Sequence, residues 1–418
     1  MASADGIYVV DRTGGDPVQL AAVHGDSSPI KFGVLDHGDA TFDIAYVQDY
    51  ERNLYALHTT LDGGATPQQK IARSDQWSLN GPTYCQARNE LAVGIWRTTA
   101  VDVDVIDAGT LQAMSPSSVD QAIGTGVLSS LQPADFQVAS DLTCGNLPAG
   151  VVYNSLDCSH SASVDACLST PGTSHIDYKP SLADPVQRLT FPEQDRDIVA
   201  SLPTALDGDN GPSVFVAGDG SKHVMFERNY SNATSAADPE FQPYGFNKLM
   251  YKHVVGDPNA ATEYELDFSR WLPQPAPLEI VNSSSVRITD AVDFVALGVF
   301  KTPSPAGPYD DTVYMGIVAG QFDDPPNDSP KLVLDPARVQ GVITFDRFTC
   351  YAWRTYGMSP DGTEVDMYLL AYPQFLGDRV LFSATKSRLG TLADGVVTFG
   401  DGNVETQDHL FARICALP

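Results

Sequence analysis

Short runs of β-branched and aromatic residues recur along the chain, separated by clusters of Gly, Asp, Pro and Asn. Almost no stretch keeps apolar residues at helical spacing, and this combination is typical of strands joined by tight turns. Segment 101–107 alternates apolar and acidic residues, so it predicts a strand with one packed and one hydrated face. The sequence therefore predicts an all-β fold.

The runs come in pairs, which predicts repeated hairpins. The pairs are 42–47 with 54–58, 90–96 with 101–107, 150–153 with 175–178, 223–227 with 248–252, 294–300 with 312–318, 349–353 with 365–370, and 379–383 with 409–414. Their spacing lies in the range of propeller blades, each of which is a four-stranded sheet. We therefore expect a single domain over residues 1–418, a β-propeller of about seven blades, with eight as the alternative.

Two segments share a more specific pattern, in which a strand is followed by an acidic residue, a Gly-Gly turn and a short strand entered through Pro. They are GIYVVDRTGGDPVQL at 6–20 and NLYALHTTLDGGATP at 53–67. Gly supplies the positive φ of a tight turn, and Pro fits where no ladder donor is needed. The pattern resembles the repeat of TolB-like (WD40-like, PD40) propellers. The resemblance implies a rigid ring that presents loops to a ligand.

The first strand, at residues 7–11, has no partner before it in the sequence. An open sheet edge exposes unpaired backbone groups, so a propeller must close its ring. We therefore expect the N-terminal strand to complete the C-terminal blade, which residues 377–418 would form.

The charge balance excludes one class of partner. The chain has 25 Lys and Arg against 53 Asp and Glu, a net charge of −28, which is far too acidic for a nucleic-acid binder. No run approaches the roughly 20 apolar residues that span a bilayer, so no transmembrane segment is expected. The first five residues have neither the basic nor the apolar part of an export signal.

Six cysteines, at positions 85, 144, 158, 167, 350 and 415, bear on the cellular compartment. None forms a Cys-x-x-Cys pair, which disfavours a structural zinc site. We expect disulfides, with Cys158 and Cys167 as a local bridge, and buried free thiols are the alternative. Disulfides indicate a secreted or periplasmic protein whose signal peptide is absent from this chain.

A calcium site is suggested by one acidic turn. Asp207, Asp209 and Asn210 place oxygen atoms around two glycines, as a calcium loop does, but the distal carboxylate of an EF-hand is missing. A plain turn is the alternative. Calcium is the only cofactor that the sequence suggests.

Catalytic candidates are few. Propeller polysaccharide lyases use His or Tyr as a base, with Arg or a metal to neutralise the uronate carboxylate. His223, Arg228, Tyr251 and His253 lie on one candidate blade, where structural histidines are the alternative interpretation.

Trp353 and Arg354, on another blade, could stack on a sugar ring or bind a ligand. Because no clear acid–base–nucleophile set stands out, we expect a binding module for a protein or glycan. The alternative is a polysaccharide-active enzyme, a lyase or glycosidase, with its site in the propeller funnel. A second alternative is a self-assembling surface or structural component.

Overall fold

The structure of the protein is a computed structural model, which describes most of the chain in separate segments. The described residues are 6–11, 18–23, 30–48, 53–75, 77–96, 101–132, 137–157, 173–194, 207–230, 246–266, 279–288, 293–302, 312–321, 331–332, 356–358, 364–376, 379–393, 396–399 and 404–406.

Strands dominate these segments, and the only α-helices among them are α1 (Ala108–Ala113) and α2 (Val119–Gly124). The strands are β1 (Gly6–Asp11), β2 (Val18–Ala22), β3 (Phe32–Asp36), β4 (Thr41–Val47), β5 (Leu54–Thr60), β6 (Gln68–Ala72), β7 (Ser78–Cys85), β8 (Glu90–Trp96), β9 (Val101–Asp107), β10 (Ser117–Ser118), β11 (Ser129–Gln132), β12 (Gln137–Thr143), β13 (Val151–Asp157), β14 (Thr173–Lys179), β15 (Gln187–Arg188), β16 (Asp207–Val216), β17 (Lys222–Tyr230), β18 (Phe246–Val254), β19 (Glu263–Leu266), β20 (Glu279–Ile288), β21 (Asp293–Thr302), β22 (Thr312–Gln321), β23 (Lys331–Leu332), β24 (Tyr356–Met358), β25 (Glu364–Leu376), β26 (Arg379–Ala393), β27 (Val396–Phe399) and β28 (Val404–Thr406). The all-β prediction is confirmed.

Most strands pair with their neighbours in sequence, as antiparallel meanders. One sheet is β3-β4-β5-β6 with β10 beside β6, another is β7-β8-β9-β11, and a third is β20-β21-β22. A nine-stranded sheet combines two meanders, β12–β15 and β16–β19, through a short parallel contact between β14 and β16, and β23 is its ninth strand, parallel to β19. The remaining sheet runs β2-β1-β26-β25-β24, with β27 and β28 alongside.

Both strands of five predicted hairpins lie within the described residues, and in all five the two strands pair: β4 with β5, β8 with β9, β13 with β14, β17 with β18, and β21 with β22. Segments 349–353 and 409–414, each half of a predicted hairpin, lie outside the described residues. Seven as the number of blades stays a prediction.

The first strand pairs with a strand from near the end of the sequence. β1 is antiparallel to β26, from Gly6 opposite Ala384 to Asp11 opposite Arg379. The N-terminal strand therefore lies in a sheet with C-terminal strands, which is the pairing that the sequence predicts.

The core lies between successive sheets. One cluster joins Leu35, Leu54 and Val93 from β3, β5 and β8, and Leu111 and Val119 cover it from the two short helices. Other clusters join β1 to β3 and β4, β7–β9 to β12 and β13, and β13–β14 to β17 and β18. Burial of these faces supplies the main favourable free energy of folding.

Strand β9 corrects one expectation. The acidic face of segment 101–107 was expected to be hydrated, but Asp102 and Asp104 are both buried. Alternation along a strand identifies its two faces, and a second sheet or a loop can still cover the polar one.

One disulfide, between Cys85 and Cys144, is present among the described residues, and it joins the end of β7 to the residue after β12. Cys158 and Cys167 lie outside the described residues, so their predicted bridge stays a prediction. Within the segments that the structure describes, no helix has the length and apolar character that crossing a membrane requires.

Candidate functional site

The β17–β18 hairpin brings three of the predicted catalytic residues together. His223 is directly opposite His253 in the pairing, and their rings stack with centroids 4.5 Å apart. His223 Nδ1 lies 2.7 Å from the hydroxyl oxygen of Tyr251, two residues away on β18. The sequence-based grouping of these residues therefore matches their positions in the hairpin.

Burial limits what this group can do chemically. The exposed fraction is 2% for His223 and 1% for Tyr251. Burial lowers the pKa of His223 to about 4, with a further contribution from the charge of His253, and burial also raises the pKa of Tyr251. Both groups are therefore neutral near pH 7, and their hydrogen bond stabilises the hairpin.

Arg228 does not join this group. It lies five residues from His223 on the same strand, so the alternation of a strand directs the two side chains to opposite faces. Its Nε and Nη2 donate to the two carboxylate oxygens of Asp209 at 2.7 and 2.9 Å, and Nη2 also donates to Glu263 at 2.6 Å. Burial opposes the charge of Glu263, but Arg228 and Lys252 lower the pKa of that carboxyl.

Two of the three proposed calcium ligands, Asp209 and Asn210, have protein partners. Asp209 is buried in the ion pair with Arg228. Asn210 Oδ1 accepts hydrogen bonds from Asn154 at 2.9 Å and from Ser174 at 3.3 Å. The backbone of Asp207 begins β16. Residues 207–211 lie in strand β16 and not in the plain turn that was the alternative, and calcium binding by them stays a prediction.

Trp353 and Arg354 lie outside the described residues, so their proposed contact with a sugar also stays a prediction.

A polar cluster that sequence reasoning missed lies on strands β4 and β5 and on the turn that leads into β4. We call His37, Asp43 and His58 the His-Asp cluster. Asp43 on β4 is directly opposite His58 on β5, so their side chains share one face of the sheet. The turn between β3 and β4 brings His37 close to Asp43. A hydrogen bond of 3.1 Å from the His37 amide to the Thr41 carbonyl closes this turn.

Asp43 contacts both imidazoles. Its Oδ1 lies 2.7 Å from His58 Nδ1, and its Oδ2 lies 3.2 Å from His37 Nε2. The Asp43 side chain is 4% exposed, whereas those of His37 and His58 are 32% and 54% exposed. A buried carboxylate therefore holds two accessible imidazoles.

The contact with Asp43 selects one tautomer of His58. A hydrogen on Nδ1 donates to the carboxylate, which leaves the Nε2 lone pair on the exposed side of the ring. Such a nitrogen can act as a general base, and the three side chains together offer two nitrogen ligands and one oxygen ligand to a metal ion. The signal was present in the predicted 42–47/54–58 hairpin, because pairing its strands places Asp43 opposite His58.

Comparison with known proteins gives no family assignment. No family model matches the chain. No curated protein matches it either.

Several solved structures are distantly similar. One is a GH93 α-L-arabinofuranosidase of Fusarium graminearum in complex with arabinobiose, 10% identical, with 87% of this chain and 94% of that chain covered and a TM-score of 0.40. Another is a polysaccharide lyase, 11% identical, covering 89% and 83%, with a TM-score of 0.39. A third is the hydrazine synthase of Kuenenia stuttgartiensis, 11% identical, covering 71% and 70%, with a TM-score of 0.38. Similarity at this level supports no argument about the activity of this chain.

Proposed function

We propose that the chain is an extracytoplasmic β-propeller that binds a glycan or a protein at the ends of its strands. Successive sheets that lie side by side support this architecture. β20 lies beside β16, β17 and β18, while β25 lies beside β20 and β21 and also contacts β3. The first strand pairs with β26, which supports a closed ring. The described strands form six such groups, so a seventh blade would come from residues outside them.

The His-Asp cluster is the observation that carries the binding proposal. His58 is about half exposed, and buried Asp43 fixes its orientation, so the imidazole presents a preorganised polar group to a ligand. A chain with a net charge of −28 repels polyanions at long range. We therefore expect a neutral or cationic ligand, such as an uncharged glycan.

The Cys85–Cys144 disulfide supports the extracytoplasmic part of the proposal. Disulfides persist in oxidising compartments and are rare where thiols are kept reduced. Secretion and periplasmic location are both compatible with this proposal.

A panel of immobilised glycans and proteins tests the binding function. We expect retention of the wild-type chain on at least one neutral or cationic ligand, and loss of retention in the His58→Ala variant. The matched control is His253→Ala, which removes the imidazole that stacks on His223 in the β17–β18 hairpin. Loss of binding in the control with retention in His58→Ala would contradict the assignment of this site.

A polysaccharide-active lyase or glycosidase is the second candidate, favoured by the Asp43–His58 contact. A buried carboxylate that orients an accessible imidazole is the arrangement of a general base. The same panel is therefore assayed for new reducing ends and for the absorbance of unsaturated uronates. If the chain is an enzyme, we expect the rate of product formation to fall by roughly 10²- to 10⁴-fold in His58→Ala. Retention without product supports the binding module.

A further inference from the structure

We propose that His37, Asp43 and His58 form a binding site for a borderline divalent metal ion, for which Zn²⁺ is the probe. Among the described residues, this is the only group of three or more His, Cys, Asp or Glu side chains close enough to share a metal ion. Two imidazoles and one carboxylate match the ligands that Zn²⁺ takes, whereas Ca²⁺ and Mg²⁺ take oxygen ligands.

The distances among the ligand atoms suit a tetrahedral ion. Ligands with bonds of about 2.0–2.2 Å lie roughly 3.3 Å apart around such an ion. The Asp43 oxygens lie 2.7 Å from His58 Nδ1 and 3.2 Å from His37 Nε2. The potential ligand atoms all lie within 4.8 Å of one another, so the imidazoles close by no more than about 1.5 Å on binding.

Metal binding needs a fixed carboxylate and imidazoles that can rotate, and the burial of the three side chains meets this need. Asp43 is buried in β4, where pairing with both β3 and β5 fixes its backbone. The histidines are partly exposed, which leaves room for small rotations of their rings.

The turn that carries His37 is itself held in place. Asp36 accepts a hydrogen bond from the amide of Gly38 at 2.8 Å, and Asp39 accepts one from the amide of Thr41 at 3.0 Å. These two exposed carboxylates also add negative charge beside the cluster, which favours the approach of a cation.

Metal binding at Nδ1 requires a change of tautomer at His58. The hydrogen that His58 Nδ1 donates to Asp43 passes to solvent while Nε2 takes one up, so the ring changes tautomer without a change of charge, and the Nδ1 lone pair forms the bond to the metal. His37 Nε2, freed of its hydrogen by the same change of tautomer, and a carboxylate oxygen of Asp43 supply the second and third bonds. Three protein ligands leave a fourth position for water or a ligand oxygen, as in zinc sites that react or bind substrates rather than sites that only hold a fold together.

Zn²⁺ titration of the full chain by calorimetry tests the proposal, with His37→Ala and His58→Ala as the test variants. We expect one site in the wild type and a loss of affinity of at least 10- to 100-fold in each variant, since removal of an outer partner alone costs about that much. His253→Ala and Asp62→Asn, which remove an imidazole and an exposed carboxylate elsewhere, are expected to keep the wild-type affinity. No binding by the wild type, or unchanged affinity in both test variants, overturns the proposal.

Co²⁺ absorption identifies the ligand atoms and separates this site from the cysteines. We expect visible bands of a nitrogen- and oxygen-ligated ion without the near-ultraviolet bands that thiolate ligands add. Thiolate bands that persist in His58→Ala would assign the metal to cysteine and overturn the proposal. Because the metal is the only ligand in these experiments, the result does not depend on the proposed glycan or protein ligand.

Discussion

Arg228 binds both carboxylate oxygens of Asp209, and both side chains are buried on one face of the β16–β17 pair. The two residues are directly opposite each other in the strand pairing. The sequence suggested that Arg228 neutralises a substrate carboxylate, but the guanidinium instead neutralises a carboxylate of the protein. A desolvated pair of this kind is costly to break, because the remaining charge stays buried without its partner.

Replacement of Arg228 by Met tests this structural role. We expect the Arg228→Met variant to lose about 3–5 kcal/mol of unfolding free energy, measured by urea denaturation, because Asp209 keeps a buried and unpaired charge. Arg188→Met is the control, since the Arg188–Glu193 pair is exposed and such pairs contribute roughly 0–1 kcal/mol. Equal losses in the two variants would contradict the argument.

The depressed pKa of His223 predicts a loss of stability in acid. The pKa is 6.5 in the unfolded chain and about 4 in the folded protein, mainly because of burial. Between these values the unfolded state binds the proton that the folded state excludes, so stability falls as the pH is lowered from 6.5 toward 4. Across this pH range, the exclusion of the proton from His223 lowers the unfolding free energy by on the order of 3 kcal/mol.

Urea denaturation across this pH range, in the wild type and in His223→Gln, measures the effect. We expect the variant to have a flatter dependence of unfolding free energy on pH. Tyr251→Phe is the control, because it removes the hydrogen bond to His223 but leaves the imidazole buried, so it should lose about 1 kcal/mol and keep the pH dependence. A wild-type slope that survives in His223→Gln would exclude this residue as its source.

Gly208, the second residue of β16, has a packing role that the structure explains. Its φ is +104°, and a Cβ there would lie 2.2 Å from the carbonyl oxygen of Ser174, on the strand that pairs in parallel with β16. We expect Gly208→Ala to lose about 2–5 kcal/mol, from the positive φ and the overpacking together. Gly220 is the control: its φ is +86°, and no atom lies within 4 Å of a Cβ built there. The Gly220→Ala variant should therefore lose only the part of the stability that the positive φ costs. Melting temperatures that fall equally in both variants would contradict the packing argument.

The hairpins could be predicted because each one depends on neighbouring residues. Apolar periodicity and turn residues define the β4–β5 and β17–β18 pairs, and pairing alone then brings His223 next to His253. The sheet pairing of β1 with β26 was also accessible, because an unpaired first strand needs a partner.

Contacts between distant segments could not be predicted in the same way. Glu263 on β19 forms an ion pair with Arg228 on β17, and the Cys85–Cys144 disulfide joins two different sheets. Neither contact leaves a local pattern in the sequence. The sequence also could not distinguish Asp209 as an ion-pair partner from Asp209 as a calcium ligand, because both roles use an acidic residue beside glycine. Burial and the opposing Arg228 decide what its carboxylate contacts.

The Cys85–Cys144 disulfide predicts a large loss of stability on its removal. The two cysteines are 59 residues apart, and closing a loop of this length in the unfolded chain corresponds to about 4 kcal/mol. We expect the Cys85→Ala/Cys144→Ala variant to lose about that amount in urea denaturation without reductant. Cys158→Ala/Cys167→Ala serves as the comparison, since a bridge between those residues would close a shorter loop and stabilise the chain less. Peptide mapping of the unreduced wild type should yield a linked pair containing Cys85 and Cys144, and recovery of either cysteine as a free thiol would contradict the assignment.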